Sequence, residues 1–235
     1  MRTHSKLLGI VLCALAAAAC GDDAPMVTGV VYSWEESAAP ITVAGVTVGV
    51  FGTDISDTTD ANGRFALQNV PSGDVFFTTE ATGYWGLVDY WVVPVVGDIS
   101  LNVIRDGEIA RWETELGRSI PATDGAVDIL YYGRPGEGPV GGETGAISAS
   151  SDDEFTFDVW TPVDQTSVIV ATLQDGSKFG ELVFTSVDPA NETITATVTG
   201  APGETRCLVD ETPGTEYPII AKSLTIVYAW CEPVQ

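Results

Sequence analysis

Histidine is almost missing. The 235 residues contain one, His4, and it lies in an N-terminal segment with the pattern of a cleaved signal. A mature chain without histidine builds no Ser-His-Asp triad, no Cys-His pair and no His-ligated zinc. Basic residues are scarce too: 10 Lys and Arg stand against 33 Asp and Glu, a formal net charge of −23. Such a chain repels phosphate backbones, which excludes direct nucleic-acid binding, and it has no polybasic patch for an anionic bilayer. The charge itself suits solubility at a cell surface or weak cation binding. Helical periodicity is nearly absent after residue 20. Hydrophobic residues make up 45% and charged residues 18%, so a core can form and wholesale disorder is excluded. Carboxylate-only catalysis needs no histidine, but no local pattern supports it. The aspartates read as turn residues, in strings such as GTD, SDD and TDG.

What is present begins with an address. Arg2 and Lys6 precede the apolar run Leu7–Ala19. That run is too short to span a bilayer comfortably and suits a signal h-region. It ends in Ala17-Ala18-Ala19-Cys20, followed by Gly21-Asp22-Asp23. The string resembles a bacterial lipobox, in which the cysteine receives a diacylglyceryl group and becomes the new N-terminus. Ala17 replaces the usual Leu. The alternative is an ordinary cleaved signal peptide with a fortuitous cysteine. Two or more acyl chains anchor stably where one is marginal. Residues 1–19 are then the signal peptide and 20–25 the lipidated cysteine and its tether. By analogy with enterobacterial sorting, Gly21 rather than Asp after the cysteine points toward the outer membrane. Signal removal takes Cys13, and lipidation takes Cys20. Cys207 and Cys231 remain, in an oxidising compartment, and are expected to form one disulfide. The chain-entropy model values that cross-link at roughly 3–4 kcal/mol.

Beyond the tether, short runs of Val, Ile, Thr and aromatics alternate with Gly, Pro, Asp and Asn clusters. This spacing predicts an all-β protein of antiparallel sandwiches. Val46, Val48 and Val50 alternate with Thr47 and Gly49, as one buried face requires. Asn62-Gly63 suits a turn with positive φ. Residues 26–105 carry an ordered set of motifs: Gly29 and Val31; Ala44, Val46 and Val48; Thr59, Asp60, Gly63 and Phe65; Val70, Pro71 and Gly73; then Gly83 and Tyr84. Their order and spacing resemble the carboxypeptidase regulatory-like domain, a transthyretin-like (prealbumin-like) sandwich. The acidic Ser33–Pro40 stretch departs from the pattern. The resemblance implies a fold and no activity. Metallocarboxypeptidases join this domain to a catalytic zinc domain, of which nothing is visible here. Transthyretin-like hydrolases need histidines that are missing.

Residues 121–235 are expected to form a second Ig-like or transthyretin-like sandwich, closed by the disulfide. It is either a diverged copy of the first or a chance likeness between β-rich segments. Gly180–Gly200 aligns with Gly63–Gly83, with Leu182 opposite Phe65, Phe184 opposite Leu67 and Val187 opposite Val70. Residues 106–120, with Trp112, read as a linker.

Candidate binding residues are few. Asp57, Asp60 and Asn62 beside Gly63 imitate part of a calcium loop but lack its closing Glu, and they belong to the hairpin motif. Asp152-Asp153-Glu154 with Asp158 reads as a solvated turn, so no metal and no cofactor are expected. Trp85 and Trp91, in GYWGLVDYWVV, fall on one face if Gly86 marks no bulge. That pair either packs in a core or stacks on a ligand. The functional expectation is a non-enzymatic, lipid-anchored cell-envelope protein acting as an interaction or structural module. Its partner would be an envelope protein or a polysaccharide. The alternative is a carbohydrate-binding lipoprotein using Trp85 and Trp91. An enzyme would require two carboxylates converging in a cleft, one with a raised pKa.

Overall fold

The computed structural model describes residues 25–34, 40–133, 143–149, 154–158, 168–170, 180–209 and 214–234. The N-terminal half contains β1 (Val27–Trp34), β2 (Ile41–Thr42), β3 (Thr47–Val50), β4 (Ser56–Thr58), β5 (Arg64–Leu67), β6 (Gly73–Glu80), β7 (Tyr84–Val93) and β8 (Ile99–Arg105). Helix α1 (Asp106–Leu116) follows. The C-terminal half contains β9 (Gly125–Gly133), β10 (Thr144–Ile147), β11 (Glu154–Asp158), β12 (Val168–Val170) and β13 (Gly180–Val187). It ends with β14 (Thr193–Ile194), β15 (Ala196–Thr199), β16 (Thr205–Val209), β17 (Tyr217–Pro218) and β18 (Ser223–Pro233). Among the described residues the chain is all-β apart from α1 and one short 3-10 turn at Pro189–Asn191.

Two layers enclose the first core. In one, β1 lies between antiparallel β5 and parallel β8. In the other, β4, β3, β6 and β7 run as an antiparallel sheet. The valines of β3 alternate as expected: Val48 and Val50 are buried and Thr47 is exposed. They meet Val27, Val31, Phe65, Leu67 and Leu101 from the opposite layer. At the hairpin before β5, Asp60 Oδ1 accepts the backbone N–H groups of Asn62 (2.8 Å) and Arg64 (2.9 Å). Gly63 takes φ +73° there, the left-handed conformation that glycine adopts without a Cβ penalty.

The second half repeats the three-strand plan. Strand β9 lies between antiparallel β13 and parallel β18, as β1 lies between β5 and β8. Leu182 and Phe184 pair with Ile129 and Val127, as Phe65 and Leu67 pair with Gly29 and Val27. One face of this sheet packs against the ribbons β10–β15 and β14–β17, around Val127, Ile129, Tyr131, Phe184 and Tyr217.

The segment expected to link the halves is a helix. Ile109, Trp112 and Leu116 follow the 3–4 spacing of one helical face, and Ile109 and Trp112 are buried. Arg111 bridges Glu108 and Glu115 on the outer side, and Lys222 pairs with Asp106 at the helix start (3.0 Å). A third core lies beneath α1, where Trp85, Leu87 and Ile104 meet Ala126, Val183 and Leu224. The halves also share a sheet, because Gly86–Val88 of β7 pair in parallel with Ser223–Thr225 of β18. Gly86 is dictated by this junction. Its N–H donates to Lys222 O (2.9 Å), and an added Cβ would lie 2.0 Å from Thr79 O.

Candidate functional site

The sequence-selected residues fall in different places. Cys20 lies outside the described residues. Cys207 and Cys231 stand directly opposite each other on β16 and β18, Cα atoms 4.1 Å apart, and form the disulfide. Glu143 is buried beside them and accepts from Thr205 Oγ1 (3.0 Å). With both sulfurs oxidised, this trio offers no thiolate ligands to a metal.

Trp85 requires a correction. It is 3% exposed, enclosed with Trp112 and Leu87 in the core beneath α1, so no ring face is free for stacking. Trp91 is half-buried against the first core, and its Nε1 donates to Asp89 Oδ2 (3.0 Å). The two tryptophans therefore form no exposed strip. The calcium-like loop is structural as well. The Asp57 carboxylate accepts from the N–H groups of Thr58 (2.8 Å) and Ala66 (2.7 Å). The two backbone donors on Asp60 hold its pKa below the ordinary carboxylate value. Asp152, Asp153 and Trp160 lie outside the described residues, as do the side chains of Glu154 and Asp158.

What the structure does bring together is a set of acids between the two halves. The floor of this site is the second face of the sheet β13–β9–β18–β7. Strand β9 turns Val127, Ile129 and Tyr131 into the second core, and its intervening residues Asp128 and Leu130 line a cavity on the opposite side. Across the floor, Asp128 pairs with Val183 on one neighbour and with Ile226 on the other. One pleat further on, Leu130 pairs with Glu181 and Tyr228. Leu87 is opposite Leu224, and Asp89 follows Leu87 two residues along β7. Trp34, Ile104 and Trp112 cover the floor from β1, β8 and α1. The cavity measures about 160 Å³, and none of the described residues lining it is Lys or Arg.

The three carboxylates differ in their support. Asp89 is fully engaged: Tyr228 Oη donates to its Oδ1 (3.0 Å) and Trp91 to its Oδ2. Asp128 is 6% exposed, and its Oδ1 has no hydrogen-bond partner among the described residues. Burial pushes the Asp128 pKa well above the carboxylate range, and the neighbouring Glu181 charge adds to the rise. Burial also lifts Glu181, to about 7.

This is the convergence of carboxylates that the sequence had not revealed. Asp89 and Asp128 are not turn residues; each interrupts an apolar strand, in GLVDYWVV and GAVDILYY. An aspartate inside an otherwise apolar strand was the available signal. Burial raises Asp128 and Glu181 in the same direction, and the two carboxyls titrate together. No Ser, Thr or Cys lines the cavity among the described residues, and a polymer does not fit its volume.

No family model matches this chain, and no curated protein matches it. Among solved structures, two interface mutants of the type II cohesin–X-dockerin complex from Acetivibrio cellulolyticus are similar at 26% and 30% identity. Each match covers 33% of this chain and 51% of that chain, with a TM-score of 0.26. This chain thus spans about half the length of those structures. The Bacillus anthracis TIE protein is similar at 12% identity over 87% of this chain and 33% of its own, with a TM-score of 0.24. A streptococcal ancillary pilin is similar at 15% identity over 89% and 63%, with a TM-score of 0.23.

Proposed function

We propose that this protein is a non-enzymatic, lipid-anchored module of the bacterial cell envelope, most at home in the outer membrane, that works by binding. The observation that carries the reading is the continuity of the frame. The β7–β18 pairing and the core under α1 tie both halves together into one continuous β frame. The two layers around β1 support reading residues 26–105 as a carboxypeptidase regulatory-like sandwich. The shared plan of β5–β1–β8 and β13–β9–β18 supports reading 121–235 as a diverged copy. The lipobox-like residues 17–20 supply the anchor, and the partner is an envelope protein.

Two measurements test this. Cells expressing the full chain are fed labelled palmitate: the wild-type chain takes up label in the outer-membrane fraction, and Cys20→Ser does not. Label-free wild-type protein would overturn the anchor. The purified full chain is then offered to peptidoglycan, polysaccharides and envelope extract. A recovered envelope protein supports the module, whereas saturable polysaccharide binding replaces it with the carbohydrate reading.

A further inference from the structure

The acidic cavity between the halves is unbalanced as it stands. Burying a carboxylate is costly unless a positive charge or several donors compensate it. Asp89 has its donors, while Asp128 Oδ1 has none among the described residues and lies near Glu181 on the adjacent strand. The cavity contains no described basic residue to neutralise either. A cationic guest would relieve both.

The surroundings decide which cation. A divalent metal needs several oxygens gathered tightly around one point. Among the described residues, the one trio of candidate ligands converging within 4.8 Å is Glu143 with the disulfide sulfurs; Asp89, Asp128 and Glu181 are not so gathered. Apart from Asn102 and the Tyr228 hydroxyl, the rest of the lining is apolar and aromatic. Leu87, Leu224 and Ile226 form the floor. Trp34 and Trp112 meet edge to face, with centroids 6.0 Å apart, at the roof. Such rings attract organic cations through their faces, and aliphatic walls suit methylenes. A volume of about 160 Å³ is close to the ~150 Å³ that holds a benzene-sized guest. Leu130, Glu181 and Tyr228 are half-buried at one side, whereas Asp128, Trp112 and Leu224 are buried deeper, so entry is from the Glu181 side.

We propose that this cavity is a binding site for a small alkylammonium cation, a short aliphatic amine or diamine, with its charge between Asp128 and Glu181 and its carbon chain against Trp112 and Ile226. The site goes beyond the envelope-module reading and does not depend on the lipid anchor.

Trp34 and Trp112 provide the readout. The purified full chain in detergent is titrated at pH 8 with 1,4-diaminobutane, n-butylamine, n-butanol and calcium chloride. Tryptophan fluorescence and thermal stability are followed together. The expected result is a saturable fluorescence change and a raised Tm with the two amines, and neither with n-butanol. Asp128→Asn and Glu181→Gln should each weaken amine binding at least tenfold. Both replace a carboxyl with an amide of nearly the same shape, so they are expected to fold, and a cooperative melt checks this. Binding should also weaken at pH 5, where Glu181, lifted to about 7 by burial, is protonated. Absence of saturable amine binding at millimolar concentration overturns the proposal, as does binding unchanged in both variants. Calcium saturating the wild type but not Asp128→Asn, with amines no better than n-butanol, would make it a metal site instead.

Discussion

Replacing Glu181 with Gln should flatten the pH dependence of stability. In the unfolded chain this carboxyl has its ordinary value of 4.5, and in the folded protein burial lifts it to about 7. Between those values the folded state keeps a proton that the unfolded state releases. The stabilisation is therefore complete below about pH 4.5 and is lost as pH rises through 7. At ~1.4 kcal/mol per unit, the interval amounts to about 3 kcal/mol. Solvent reaching the half-buried Glu181 screens part of it, leaving roughly 1–3 kcal/mol. Asp128 moves the same way, and the two titrate as a pair. The other groups facing them are Asp89, Tyr228 and Asn102, so no described cation offsets the effect. The assay is urea unfolding at pH 5, 6, 7 and 8. The wild-type midpoint should fall across this range, while Glu181→Gln should fall less and be the more stable protein at pH 8. A flat wild-type profile would refute the reasoning. So would an equal slope in the variant, which would trace the loss to repulsion over the acidic surface as a whole.

Three further outcomes are expected. Cys207→Ala with Cys231→Ala should cost roughly 3–4 kcal/mol, since the bridge spans a sequence separation of 24; equal urea midpoints with and without reductant would contradict this. Trp112→Ala should cost about 3–5 kcal/mol, the usual range for a buried Trp truncation, because its ring is 2% exposed under α1; a loss below 1 kcal/mol in denaturant titration would mean that α1 does not hold the halves together. Gly86→Ala should lower Tm by several degrees, because its Cβ would meet Thr79 O at 2.0 Å. An unchanged melting curve would show that β6 and β7 can part there freely.

Local pattern determined much of this protein. Alternation in β3, the Asn62-Gly63 turn and the motifs of residues 26–105 are properties of neighbouring residues, so period and turn chemistry made the strands legible. The cysteine count likewise left one pair to join. Helix α1 was legible in principle from Ile109, Trp112 and Leu116, but three positions among β-rich neighbours are a weak signal. Tertiary structure alone decided the rest. That Trp85 is enclosed depends on a helix packing over it. That Asp89, Asp128 and Glu181 share a cavity depends on β18 pairing in parallel with both β7 and β9. These acids are 39 to 92 positions apart in the chain, and no local spacing encodes which strands become neighbours. Strand order is set by which faces can be buried together, and here that choice gathered three carboxylates around one cavity.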